Sequence, residues 1–300
     1  MDSNIQKYMA FIQAVESGSF TKAAETLSYA QSSVSKMIAD LEKAWGIKLI
    51  QRSRSGIQLT ADGQTMLPYA SNLVDSYRRV QEQASLLNGI VSGLIRIGTF
   101  SSVATHWMPR IIKAFQKDYP NIGYELLLGD YTEIEQWIAS GRVECGFLRL
   151  PTRKEFSTIP LSKDDLVVVL PPKHPLARKR RITPQDLAGE PFMLLEHGGK
   201  TEVSQFLEQY GIKPDIRFTT WDDYAVMSMV ESGLGIGILP RLILRRIPYR
   251  VAVRSLSVSA YREIGLAFRD QQNLSVAAKC FVQYLKYREP GLRTFSGRPE

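Results

Sequence analysis

Phe20-Thr21-Lys22-Ala23-Ala24-Glu25-Thr26-Leu27, Ser28-Tyr29-Ala30, then Gln31-Ser32-Ser33-Val34-Ser35-Lys36-Met37-Ile38-Ala39-Asp40-Leu41 is the stretch on which the fold turns. It reads as a short helix over 20–27, a three-residue turn and a second helix over about 31–44, the spacing of a helix-turn-helix. Tight crossing of two helices needs a small residue where the backbones approach, and Ala24 supplies one. Leu27, Val34, Met37 and Ile38 then fill the wedge. Upstream, Ile5, Tyr8, Met9, Phe11, Ile12 and Val15 recur at three- and four-residue steps, an amphipathic first helix. Ser17-Gly18-Ser19 breaks it, and Ser19 or its neighbour can cap the next. The open face of the third helix carries Gln31, Ser32, Ser33, Ser35, Lys36 and Asp40, polar groups able to reach base edges in a major groove. A plain helical bundle with one polar face would share this pattern.

The next segment separates the two. Residues 49–60, Leu-Ile-Gln-Arg-Ser-Arg-Ser-Gly-Ile-Gln-Leu-Thr, read as two short strands about a Ser55-Gly56 turn. Arg52 and Arg54 at its tip suit phosphate or minor-groove contact, as a wing would make, against the blander reading of two solvated arginines. From Phe11 to Gly63 the chain resembles the DNA-binding region of LysR-type transcriptional regulators, through Phe20-Thr21-Lys22-Ala23-Ala24, Leu27, Gln31-Ser32-Ser33-Val34-Ser35, Ile38, Leu41-Glu42, Gly46, Leu49, Arg52, Leu59-Thr60 and Gly63. It departs at Ile50, where that family usually has Phe, and at Ser32-Ser33, where many members have proline. The resemblance implies a winged helix-turn-helix, promoter DNA and a small-molecule effector as partners, self-association as a dimer of dimers, and RNA polymerase as a candidate further partner.

Residues 61–89 hold no breaker except Pro68, near their start. Thr60 can cap this helix, and Asp62 complements its dipole. Met66, Ala70, Leu73, Tyr77, Val80, Ala84 and Leu87 alternate steps of four and three, a 3.5-residue period that favours a coiled-coil seam. Asp75, Arg78, Arg79, Glu82 and Gln83 fill the other faces, so a dimerising linker is favoured over a core helix. Asn88-Gly89 ends it. The domain reading is 1–60 winged helix-turn-helix, 61–89 linker helix and 90–300 effector domain.

Beyond Gly93 strands alternate with helices: strands near 94–98, 123–128, 144–148, 166–170, 192–195, 216–219, 236–239 and 264–268, and helices near 109–119, 132–140, 201–210, 222–231 and 276–287. That alternation predicts an α/β architecture with a mainly parallel, doubly wound sheet. Its length and element order resemble the two-lobed effector domain of the same family, which shares the periplasmic-binding-protein fold. Lobe I is about 90–161 and 266–300, and lobe II about 162–265. The glycine-rich run from Gly233 to Gly237 follows a helix and lacks a Lys-Ser/Thr ending, so it is no phosphate loop.

In such sheets ligands collect at strand carboxyl ends beside helix N-termini. The candidate effector contacts are therefore Thr99, Phe100, Ser101 and Ser102 after the first strand, with Tyr131 and Phe147 after the next two. Across the cleft stand His197, Thr201 and Trp221. Hydroxyls and free amides at Thr99–Ser102 suit a small anion, against the alternative that they only cap their own helix.

The net charge of +8 is compatible with DNA but does not establish it. Residues 1–89 carry 9 Lys/Arg against 8 Asp/Glu, whereas residues 90–300 carry 29 against 22. Two cysteines and three scattered histidines offer neither a disulfide framework nor a metal spacing. No elbow, zinc helix or triad spacing is present, so the expectation is a regulator without cofactor or metal and not an enzyme. No apolar run reaches a membrane span and the N-terminus is unlike a signal peptide, so the expected location is cytoplasmic, with no membrane partner. An α/β enzyme, a solute-binding protein or a repressor needing no ligand are the competing classes.

Overall fold

The computed structural model describes residues 3–53, 56–87, 93–196, 201–270, 272 and 274–289. The chain divides into two compact units, one holding residues up to Gly93 with 139–142, the other the remainder.

In the first unit, α1 (Ser3–Ser17), α2 (Phe20–Leu27) and α3 (Gln31–Trp45) pack about Phe11, Ala14, Ala23, Ala24, Val34, Ile38 and Leu41. Ser19 caps α2 by accepting from the Lys22 amide, and Ser28 closes it in the left-handed conformation (φ 58°). The strands β1 (Ile50–Ser53) and β2 (Gly56–Leu59) form the antiparallel hairpin expected of the wing. The Ile57 amide donates to the Gly18 carbonyl at 3.1 Å. Gly56 there has φ +116°, and a Cβ on it would lie 2.6 Å from that same oxygen. Only glycine tolerates both demands.

The helix α4 (Ala61–Leu87) begins with the Thr60 hydroxyl accepting from the Gly63 amide at 2.9 Å. The proposed seam splits along its length. Ala70 is buried in the winged-helix core, and Met66 and Leu67 pack against it. Leu73 and Val80 remain 44% and 63% exposed, with Tyr69 at 67% on a neighbouring face. The first two seam positions thus stabilise the chain's own fold, and the seam positions left exposed are Leu73 and Val80.

The second unit comprises β3 (Gly93–Thr99), α5 (Ser101–His106), α6 (Met108–Asp118), β4 (Ile122–Leu128), α7 (Tyr131–Ser140), β5 (Cys145–Leu150), β6 (Ser157–Leu170), β7 (Arg181–Ile182), β8 (Pro191–Leu195), α8 (Glu202–Gln209), β9 (Asp215–Thr220), α9 (Asp223–Glu231), β10 (Ile236–Pro240), β11 (Ala252–Leu256), β12 (Tyr261–Phe268) and α10 (Val276–Gln283). The principal strand order is β4-β3-β5-β12-β6-β10-β8-β9, with β11 and β7 beside β6. β3 with β5, and β8 with β9 and β10, run parallel. β6 and β12, however, run antiparallel to each other and to the strands beside them, so the sheet is mixed rather than mainly parallel.

Two elements differ from the sequence reading, each for its own reason. β6 spans fourteen residues, not five, because its more polar part, Ser157 to Asp165 with Pro160 and Asp164, is held by pairing with β12. The short α5 precedes the helix expected at 109–119, since Pro109 begins a new helix at Met108. The first half of β6 pairs with β12 in lobe I, and Leu166–Leu170 pair with β10 and β11 in lobe II. Those last five residues are all buried, the continuous apolar run of a strand covered on both faces. In the glycine-rich run, a Cβ on Gly235 would lie 2.3 Å from the Pro191 carbonyl, so glycine there serves strand packing.

Candidate functional site

The third helix presents its N-terminal half outward. Gln31, Ser32 and Lys36 are exposed, and Ser33 and Ser35 half-exposed, while Val34 and Ile38 anchor the opposite face. Asp40, grouped with them in the sequence, is instead tied to Lys7 of α1 at 3.2 Å, because a carboxylate one turn further on faces that helix. Arg52 lies in β1 opposite Ile57, and Arg54 falls outside the described residues. Glu42 braces the wing from α3: its carboxylate accepts from the Leu49 amide at 2.9 Å and pairs with Lys48 at 2.7 Å. Burial opposes its charge, but Lys48 and the two backbone amides at Leu49 and Ile50 prevail and hold it below the usual carboxylate range.

Within the second unit, a cavity opens between the two lobes, lined by Phe100, Ser101 and Tyr131 from one side and Leu195, Thr201, Glu202, Val203, Trp221 and Asp223 from the other, with Pro240 and Arg262. In this conformation the volume it leaves free is about 20 Å³, room for about one water and well below the roughly 300–1,000 Å³ usual for small-molecule sites. The Phe100 and Tyr131 rings meet edge to face at 5.3 Å, and Tyr131 meets Trp221 likewise at 6.3 Å, an aromatic wall that crosses the cleft.

Arg262 on β12 is the hub. Its Nε and Nη2 donate to Asp164 Oδ2 at 3.0 and 2.8 Å, Nη2 to the Ser102 hydroxyl at 2.6 Å, and Nη1 to the Tyr131 hydroxyl at 3.0 Å. Glu202 Oε1 stands 3.6 Å from Nη1, and the Phe100 ring lies under the guanidinium. Burial works against its charge, but Tyr131, Asp164, Glu202 and Asp223 outweigh it and keep Arg262 protonated. Burial likewise pushes the Tyr131 phenol well up, so it donates to Glu202 Oε1 at 3.2 Å while accepting from Arg262. Arg149 on β5 donates to Gln205 on α8 at 3.0 Å, a second tie across the cleft.

Five of the residues expected to meet an effector therefore line one cavity: Phe100, Ser101, Tyr131, Thr201 and Trp221. Three other expected contacts lie outside its lining. Thr99 ends a strand covered on both faces and is fully buried, with its hydroxyl turned to the Phe100 carbonyl. Ser102 is buried with its hydroxyl engaged by Arg262. Phe147 sits mid-strand against Trp107 in the lobe core. His197 lies outside the described residues. Sequence reasoning missed Glu202, Asp223 and Arg262. The available signal was Arg262 at the head of the apolar run 264–268, since arginine in such a strand needs a buried partner.

Among the described residues no cluster of three or more His, Cys, Asp or Glu is placed to hold a metal, and no helix is long and apolar enough to cross a membrane. The family model described as bacterial regulatory helix-turn-helix protein, lysR family, matches residues 5–64. That for the LysR substrate binding domain matches residues 88–289. YvbU of Bacillus subtilis (strain 168), an uncharacterised HTH-type transcriptional regulator, is 33% identical over 285 residues, covering 94% of this chain and 97% of its own length. A full-length OxyR variant from Pseudomonas aeruginosa superposes with a TM-score of 0.75 at 20% identity, over 94% of this chain and 97% of that one. HinK, a LysR family transcriptional regulator from the same organism, gives 0.59 at 26% identity, over 95% and 98%.

Proposed function

The chain belongs to the LysR family of bacterial transcriptional regulators, and from that premise we propose how its parts divide the work. It is a DNA-binding regulator with an effector-binding cleft, and not an enzyme. Residues 1–60 read promoter DNA: Gln31, Ser32, Ser33, Ser35 and Lys36 face base edges, and Arg52 and Arg54 hold the backbone. Residues 61–89 pair two copies through the apolar strip from Leu73 onward, and the pairs associate as a dimer of dimers in the cytoplasm, where RNA polymerase is a further partner. Residues 90–300 sense the effector.

That effector is small and carries an anionic group, received at Ser101 with Phe100, Tyr131, Thr201 and Trp221 around it, and with His197 as a further expected contact. One observation carries this reading. The first residues of three helices, Ser101 of α5, Glu202 of α8 and Asp223 of α9, line the same cavity. Early helical amides have no intrahelical partner and face the positive end of the dipole. Of the three, Ser101 alone brings no carboxylate of its own. The excess of basic residues in 90–300 favours anions too, within a screening length of about 10 Å at 0.1 M salt. The test is a thermal-shift panel of small mono-, di- and hydroxycarboxylates, followed by Ser101→Ala. Stabilisation by a carboxylate that the variant loses supports the reading. Saturable tight binding of a wholly apolar compound, or of a cation lacking any acid, defeats it.

A further inference from the structure

Resting on the reading of this cavity as the effector site, we infer that the effector also carries a protonated amine, held by Glu202 and Asp223, so the cleft takes an amino-acid-like zwitterion. The charge around the cavity points there. Arg262 is spent on Asp164, which grips it with one oxygen while the other accepts from the Leu242 amide at 2.8 Å. Arg149 stands outside the cavity lining, committed to Gln205 and 3.8 Å from Glu202 Oε2. Counting Arg262 and Arg149 against Asp164, Glu202 and Asp223 leaves one excess negative charge, before any effector arrives. A plain carboxylate would add another inside a space largely closed to water, where like charges are poorly screened.

Glu202 supplies the second, independent observation. Its side chain is only 10% exposed, and its Oε2 accepts no hydrogen bond although it is buried. Buried polar atoms of this kind nearly always have a hydrogen-bond donor, and Arg149, 3.8 Å away, is too far to supply one. Asp223, 9% exposed, lines the same wall at the start of α9. Burial, the largest influence on it, lifts its carboxyl to about 6 despite the nearby Arg262 charge. The pair therefore has room for more positive charge than the protein itself provides. An ammonium offers three donors, enough for Glu202 Oε2 and the Asp223 carboxylate together, while the effector's carboxylate reaches Ser101.

The test titrates the full chain with the twenty standard L-amino acids, their matched 2-hydroxy acids, their N-acetyl derivatives and simple amines such as putrescine and isobutylamine. The expected result is that at least one free amino acid binds saturably, while its hydroxy-acid and N-acetyl counterparts bind at least about 100-fold more weakly. Asp223→Asn and Glu202→Gln should each weaken it about 10-fold or more. Equal binding of the hydroxy acid overturns the amine while leaving the anion reading intact. Binding of an amine that lacks a carboxylate upholds the acidic pair and defeats the anion reading instead. If no compound with a free amine binds, or if either folded variant binds the amino acid as tightly as the parent, the inference fails.

Discussion

Replacing Asp223 by Asn should make the protein more stable at neutral pH and leave it nearly unchanged in acid. Burial raises the Asp223 carboxyl from 3.8 to about 6, with Asp222, Glu202 and Asp164 adding to the rise and Arg262 opposing it. In the unfolded chain the same group titrates near its ordinary value, about 3.9. Below about pH 4 both states hold the proton and the residue has no cost. Between about pH 4 and 6 the folded state keeps a proton that the unfolded state has released, so stability falls as pH rises. Above about pH 6 the full penalty applies. A shift of about two units corresponds to about 3 kcal/mol, which the neutral, nearly isosteric amide escapes. For an effector domain of this size that is a rise in melting temperature of roughly 6–12 °C. Thermal unfolding followed by tryptophan fluorescence at several pH values between 4.5 and 8, parent and variant side by side, measures it. Every other titrating group is common to both proteins and cancels in the difference. A variant no more stable than the parent at pH 7.5, or a gain that does not shrink towards pH 4.5, would refute the reasoning.

Arg52→Ala should weaken all DNA sequences alike and reduce the salt slope by about one, whereas Gln31→Ala should alter base preference, at about 1–3 kcal/mol for a lost bidentate contact. Competition binding across operator variants at several salt concentrations separates the two. Leu73→Glu places a charge on a half-exposed position of α4, so each chain should still fold but the pairs should come apart. Light scattering that shows an unchanged mass would mean the exposed strip is not the interface. Arg262→Met leaves Asp164 buried without its guanidinium, and a loss of roughly 3–5 kcal/mol in effector-domain stability is expected by denaturant titration. A loss below about 1 kcal/mol would show that the hub contributes little.

The DNA-reading half was legible because its determinants are local. Helix spacing, the Ser19 and Thr60 caps and the close pairing of β1 with β2 each lie within a few residues of what they control. The effector half was legible only where one rule operates, namely that cleft residues follow strand ends or begin helices. That rule gave Phe100, Ser101, Tyr131, Thr201 and Trp221. Their neighbours lie outside the cavity lining: Thr99 is buried at the end of β3, and the Ser102 hydroxyl, in α5, is engaged by Arg262. The rule could not find Arg262, whose partner Asp164 lies 98 positions earlier. Glu202 and Asp223 read from sequence as ordinary dipole-complementing acids in a first helical turn. Only tertiary packing aims both into one enclosure.

The chain passes between the two lobes along β6 and returns along β12, and these two strands are hydrogen-bonded to each other over the crossing. Their register slips between Ile264 and Gly265, where Ser162 and Pro160 stand opposite consecutive residues. An extra residue of this kind bends a ribbon and sharpens its twist. The connection is thus mechanically anisotropic: stiff to stretching along the strands, compliant to torsion about them. Any movement of one lobe against the other is therefore expected to be a twist centred near Leu161 and Gly265. Hydrogen exchange on adding an effector should change most at the amides flanking that slip, while those of the fully covered Val167–Val169 stay protected.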